Sequence, residues 1–157
     1  MAGSGKRRRL EELGLPGWLS LVNPVVAFLQ RLGLVVGPMC LISVPGRRSG
    51  RMRTTPVSLL VVDGRRYVVA GTGEADWVEN ARRAGWAILS RGRKQEHARM
   101  VELPVEERAP ILREFPEKVP GGVRFFRRVY GISGSPEEFA GLAPRCPVFR
   151  IEGGKMV

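Results

Sequence analysis

Asp63-Gly64 is the feature that most limits what this chain can fold into. The pair stands between an apolar run, Thr54 to Val62, and a second run, Arg66 to Gly71. An Asp-Gly pair so flanked is the strongest short-range signal for a two-residue hairpin, because both turn residues must take positive φ. The two runs are therefore predicted to be adjacent antiparallel strands. Met39 to Val44 supplies a further apolar run ahead of them. Any fold for this chain has to start from an antiparallel meander.

The remaining elements follow the same kind of reading. Glu74 to Ala84 has helical spacing and stops at Gly85. Trp86 to Ser90 and Gln95 to Leu103 form a second hairpin around Arg91-Gly92-Arg93-Lys94. In its second strand His97, Arg99, Val101 and Leu103 alternate with Glu96, Ala98, Met100 and Glu102, the period of a half-buried strand. Pro104 opens a helix with Val105, Ala109, Leu112 and Phe115 on one face, and Pro110 is expected to bend or interrupt it. Val119 to Tyr130 and Pro136 to Leu142 read as short helical pieces split by Gly131 to Ser135, and Pro147 to Ile151 as a last strand. Ahead of all this, Asn23-Pro24 is a capping residue followed by a proline suited to a first helical turn. Residues 1–15 read as a flexible basic tail and 16–157 as one domain. Strands in the middle with helices at both ends predict a mainly β, antiparallel barrel, not a parallel βαβ sheet.

Charge narrows the partner. Lys and Arg number 26 against 15 Asp and Glu, a net +11, so an anion is expected: nucleic acid, membrane surface or an acidic small molecule. Lys6 to Arg9 run straight into Glu11 and Glu12, which speaks against a signal peptide. Pro16, Asn23, Pro24, Gln30, Arg31 and Pro38 break the apolar N-terminal region before it reaches the length of a membrane span. That region suits either packing on the core or lying on a membrane surface beneath the basic tail. Cys40, Cys146 and the single His97 have no metal-ligand spacing. The cysteines are expected to be buried free thiols.

The densest chemistry lies in Pro45-Gly46-Arg47-Arg48-Ser49-Gly50-Arg51-Met52-Arg53-Thr54-Thr55-Pro56. Glycines let a loop turn its N–H groups toward one point, and guanidinium forks with a hydroxyl suit phosphate oxygens. A solvated basic hairpin turn is the alternative reading. Neither the Walker A pattern nor the Rossmann glycine fingerprint is present.

Taken in order, Gly46-Arg47-Arg48-Ser49-Gly50, Arg53, Pro56, the Asp-Gly hairpin, a small-residue strand end, and Trp77 with Asn80 form a set. That set resembles the deazaflavin-dependent nitroreductase and quinone reductase family, whose members bind coenzyme F420, over roughly residues 20–152. The resemblance implies a split β-barrel of the FMN-binding type, an antiparallel Greek-key barrel with N-terminal and C-terminal helices. It implies a cofactor with a phosphate and an oligoglutamate tail, with FMN as the alternative. Carried onto this sequence, Arg47, Arg48, Arg53, Ser49 and Gly50 would hold the phosphate. Thr54, Thr55 and Pro56 would run along the ring. Ala70, Gly71, Thr72 and Gly73 would face the deazaflavin edge, closed by Trp77 and Asn80. Tyr130 would be a pocket wall or proton donor, as tyrosines of this region are in some relatives.

The implied activity is hydride transfer to a quinone, nitroaromatic or activated enone, in a cytoplasmic protein, monomer or homodimer, touching the membrane through its N-terminal segment. A fatty-acid-binding barrel without catalysis and a nucleic-acid-binding protein are the rivals. The chain departs from the pattern at Gly71-Thr72-Gly73-Glu74, where many relatives carry a lysine, at Arg48 in place of lysine, at Ala81 in place of leucine, and at Ala84-Gly85 in place of Asn-Pro. Each residue also has a plainer role: Trp77 as core, Asn80 as a turn cross-link, and Arg124, Arg127 and Arg128 as the charged face of an amphipathic helix.

Overall fold

The computed structural model describes residues 39–91 and 94–156. The expected basic tail, the Asn23-Pro24 helix and the membrane-facing N-terminal segment lie outside those residues, as do Gly92 and Arg93.

Six antiparallel strands close into a barrel: β1 (Met39–Pro45), β2 (Met52–Val62), β3 (Arg65–Val69), β4 (Trp86–Arg91), β5 (Lys94–Glu102) and β6 (Val148–Met156). Their order around the barrel is β1-β2-β3-β6-β5-β4, and β4 returns to β1 through Leu41↔Ser90, Ile42↔Leu89 and Ser43↔Ile88. The β2–β3 turn is the predicted one. Asp63 has φ 50° and Gly64 φ 74°, the doubly positive geometry that matches the twist of paired strands.

Among the described residues four α-helices accompany the barrel: α1 (Asp76–Ala84), α2 (Val105–Lys118), α3 (Val123–Tyr130) and α4 (Pro136–Ala140). In α1 the acidic residues Asp76 and Glu79 lie in the first turn and Arg82 and Arg83 in the last, complementing the helix dipole. Ser135 and Glu138 form a reciprocal capping box at the start of α4. The Glu138 carboxyl is held down at about 2, first by the Ser133 hydroxyl and then by backbone N–H groups of Ser133 and Ser135. Among the described residues no helix is long and apolar enough to cross a membrane.

Several details differ from the sequence reading. Helix α2 is continuous through Pro110 and Pro116, where a bend or an interruption at Pro110 was expected. Pro110 is solvent-exposed, so the carbonyl that loses its helical partner there faces water. Strand β6 extends past Ile151 to Met156 because Glu96 and His97 of β5 pair with Met156 and Lys155. Strand β3 ends at Val69, before Ala70 and Gly71.

Two apolar clusters share this frame. The barrel interior holds Ile42, Val44, Val57, Val68, Leu89, Met100, Phe149 and Ile151, joined by Val78 and Ala81 of α1. A second cluster lies between the outer face of the barrel and the C-terminal helices. There Leu60, Tyr67, Val69 and Val148 meet Leu112, Phe115, Phe126 and Phe139. The Phe115, Phe126 and Phe139 rings stand 4.9–5.2 Å apart, distances at which aromatic contacts add to area burial.

Arg108 is buried among these helices, with Nε donating to Leu103 O at 3.0 Å, Nη1 to Ala143 O at 3.0 Å and Nη2 to Glu102 Oε2 at 3.2 Å. Glu102 also receives both nitrogens of a fork from Arg82, at 2.8 and 2.7 Å. The Arg82 bond, more than any other partner, keeps the Glu102 carboxyl below its ordinary range. Both cysteines are free and buried, as expected.

Candidate functional site

The β1–β2 connection folds on itself before it meets anything else. Gly46 N donates to Arg51 O at 2.8 Å, Gly50 N to Gly46 O at 2.9 Å, and Arg51 N to Ser49 Oγ at 3.2 Å. Gly50 alone of the two loop glycines takes positive φ. The loop leaves Arg48, Ser49 and Arg53 exposed.

Helix α1 fixes this loop from the side. The backbone N–H of Arg47 donates to Asn80 Oδ1 at 3.1 Å, and Arg47 Nη1 donates to the same oxygen at 2.9 Å. Asn80 is only 2% exposed. Arg47 Nη2 also lies 3.4 Å from Asp76 Oδ1. A cleft of about 190 Å³ results, lined by Gly46, Arg47, Arg48, Ser49, Arg53, Asp76 and Asn80. Its donor set (guanidinium groups, a hydroxyl and a tight turn) matches an anion of phosphate size. Asp76 offsets part of Arg47, which leaves Arg48 and Arg53 as the cations turned to solvent.

The structure thus brings Arg47, Arg48, Ser49, Arg53 and Asn80 together, and it shows Asn80 as the cross-link that the plainer reading described. Asp76 was missed. The signal was available, since Asp76 precedes Asn80 by four residues and one helix face carries both. Thr54, Thr55 and Pro56 continue from the loop along β2, all half-buried. Thr54 Oγ1 lies 2.7 Å from the hydroxyl of fully buried Ser43.

The Ala70–Gly73 segment connects β3 to α1, and it is gripped by the chain's own C-terminal part. Ala70 N donates to Pro147 O at 2.9 Å. Gly71 O accepts from the Tyr130 hydroxyl at 2.5 Å. Thr72 Oγ1 accepts from Glu74 N at 3.2 Å. A Cβ on Gly71 would fall 2.3 Å from Phe125 Cε1, and one on Gly73 would lie 3.6 Å from Arg145 O. Gly71 thus accommodates a protein neighbour, whereas a side chain on Gly73 would make only ordinary contact. Trp77 is half-buried, its ring 5.6 Å from that of Phe149 in the barrel interior.

Tyr130 lies outside the cleft. Its hydroxyl is turned to the Gly71 carbonyl with the Cys146 thiol 3.6 Å away, and the Arg145 guanidinium sits 5.8 Å from its ring centroid. Burial, followed by the bond to Cys146, pushes its pKa to about 12. Phe125 and Val129 of α3 are 48% and 49% exposed, beside the expected arginines. The sequence reading had assigned Phe125 no role.

The model of the F420H(2)-dependent quinone reductase family matches residues 28–126. Among solved structures, a protein of unknown function from Agrobacterium tumefaciens str. C58 superposes with a TM-score of 0.56 at 10% identity, over 77% of this chain and 50% of that one. The chain therefore spans half the length of that protein. An F420-H2 dependent reductase, FDR-A, superposes at 0.50 with 22% identity, over 73% of this chain and 94% of that chain. A putative pyridoxamine 5'-phosphate oxidase from Listeria innocua gives 0.52 at 10% identity, over 87% and 96%. These likenesses identify the fold as the split β-barrel. No curated protein sequence matches the chain.

Proposed function

The chain belongs to the F420H(2)-dependent quinone reductase family, and from that premise we propose that its arginine cleft holds the anionic end of coenzyme F420 while the β3–α1 segment borders the ring. That the protein is an F420-dependent oxidoreductase follows from the family. The further assignment of residues is supported by one observation above the others. Arg47, Arg48, Ser49 and Arg53 line a single cleft whose geometry Asn80 fixes.

In this reading Arg48 and Arg53 bind the phosphate and carboxylate groups, with the Ser49 hydroxyl and the Gly50 backbone beside them. Arg47 divides its guanidinium between Asn80 and the anion. Thr54, Thr55 and Pro56 flank the ring along β2, and Ala70 to Gly73 with Trp77 border its other side. The bound coenzyme supplies a hydride to an electron-poor acceptor: a quinone, nitroaromatic or activated enone. The protein orients the two partners and excludes water, so it needs no nucleophile or acid–base dyad of its own. The proton comes from solvent or a nearby hydroxyl.

The same reading places the protein in the cytoplasm as a monomer or homodimer, with peripheral membrane contact through residues 18–33. One structural neighbour is described as a domain-swapped dimer, which favours the homodimer. The test uses Arg48→Gln with Arg53→Gln, because Arg47 also fixes α1. Titration of the reduced coenzyme, read by protein fluorescence, should show affinity falling 30-fold or more, and menadione turnover at low coenzyme should fall with it. Unchanged affinity in a folded double variant would refute the assignment.

A further inference from the structure

Tyr130 couples the C-terminal helical layer to the segment that leads into the anion cleft. Its ring stacks at 6.1 Å on Phe126 of the outer apolar cluster, and its hydroxyl donates to Gly71 O. The grip does not stop at one bond. The Cys146 thiol lies 3.9 Å from the same carbonyl, Ala70 N is tied to Pro147 O, and Phe125 covers the position where Gly71 would carry a Cβ. Two stretches distant in sequence, 125–130 and 145–147, thus both contact residues 70–73. Those residues run directly into α1, whose Asn80 holds Arg47.

We propose that Tyr130 is a positioning residue: by holding the Gly71 carbonyl it sets the height and tilt of residues 71–73 against the coenzyme ring, and it donates no proton in the reaction. This rests on the reading of the β3–α1 segment as the ring border. The direction of the hydrogen bond argues for it, since the phenolic hydrogen is committed to a backbone oxygen. The surroundings argue the same way. The two groups nearest the hydroxyl, the Gly71 carbonyl and the Cys146 thiol, are not among the residues that line the cleft.

The test is Tyr130→Phe, with Arg128→Gln, an exposed residue of the same helix that takes no part in the grip, as the control. In coenzyme-free protein, amide hydrogen exchange at residues 71–74 should accelerate at least tenfold in Tyr130→Phe and stay at the parental rate in the control. Coenzyme affinity, carried by the arginines, should change less than threefold. Single-turnover hydride transfer to menadione at saturating coenzyme should slow tenfold or more with its pH profile unaltered. Parental exchange at residues 71–74, or a lost limb of the pH profile, overturns the proposal. If the parent protein fails to bind the coenzyme, the functional reading falls instead, and the exchange data still judge the grip on Gly71.

Discussion

Replacing Asn80 separates what holds the cleft together from what the cleft binds. Asn80 Oδ1 accepts two hydrogen bonds from Arg47, one from the backbone N–H at 3.1 Å and one from Nη1 at 2.9 Å. In Asn80→Ala both donors lose this acceptor, Arg47 Nη1 keeping only a 3.5 Å approach to Asp76 O, at a site where Asn80 itself is 2% exposed. A neutral bond of this kind contributes about 1 kcal/mol and one from a charged group about 2 kcal/mol, so stability should fall by about 3 kcal/mol. For a chain of this size that is a drop in Tm of roughly 6–12 °C.

Asn80→Asp acts differently. It keeps an acceptor for both Arg47 donors, so Tm should stay within about 3 °C of the parent. It also sets a negative charge beside the anion cleft. A carboxylate roughly 6 Å from a phosphate, at an effective dielectric of about 20, costs about 3 kcal/mol, or a loss of affinity of about 100-fold. Differential scanning calorimetry measures the first effect and coenzyme titration the second. Parental Tm in Asn80→Ala would show that the Arg47 contacts do not organise the loop. Parental coenzyme affinity in Asn80→Asp would show that the anion binds elsewhere.

Other perturbations have equally definite outcomes. Arg108→Met strands the carbonyls of Leu103 and Ala143 and should cost about 3 kcal/mol in urea unfolding, with the barrel sheet retained by circular dichroism. Glu102 has a depressed folded-state pKa. Its stabilising contribution is therefore present above the unfolded value near pH 4.3 and is lost as pH falls through the lower folded value. Glu102→Gln should remove that part of the acid slope, as followed by thermal melts between about pH 2 and pH 6. Thr54→Val leaves the hydroxyl of fully buried Ser43 without its 2.7 Å partner. It should destabilise the protein by about 1–2 kcal/mol in chemical denaturation.

What could be read in advance was whatever is decided locally. The Asp63-Gly64 turn demands its geometry from two residues and shows it. Gly85 and Gly131 end helices where the pattern put the stops. The arginine loop was legible because its charges are consecutive in the chain. What escaped depends on partners far away in sequence. Arg108 reads as one more charge on a helix, and only the carbonyls of Leu103 and Ala143 explain its burial. Gly71 read as a close backbone approach, and its packing against Phe125 comes from a helix far along the chain. The extension of β6 through Gly153 and Gly154 rests on pairing with β5, which no glycine pair announces. Pro110 was judged by its effect on an isolated helix, and α2 runs through it with the residue at the exposed face.

Strand β3 is only five residues long, yet it has no disposable side. Val68 points into the barrel while Tyr67 and Val69 point beneath the C-terminal helices. In most sheet proteins a strand can slide by one position at the expense of a single face, with water receiving the misplaced side chains. Here such a slide would push a tyrosine and a valine into the lumen and empty the helical layer in the same stroke. The alignment of Leu59 with Val68, and with it the start of the segment leading to Gly71, is therefore guarded from both directions. Sequence drift in this family should be slowest where those two reservoirs of oil share one ribbon.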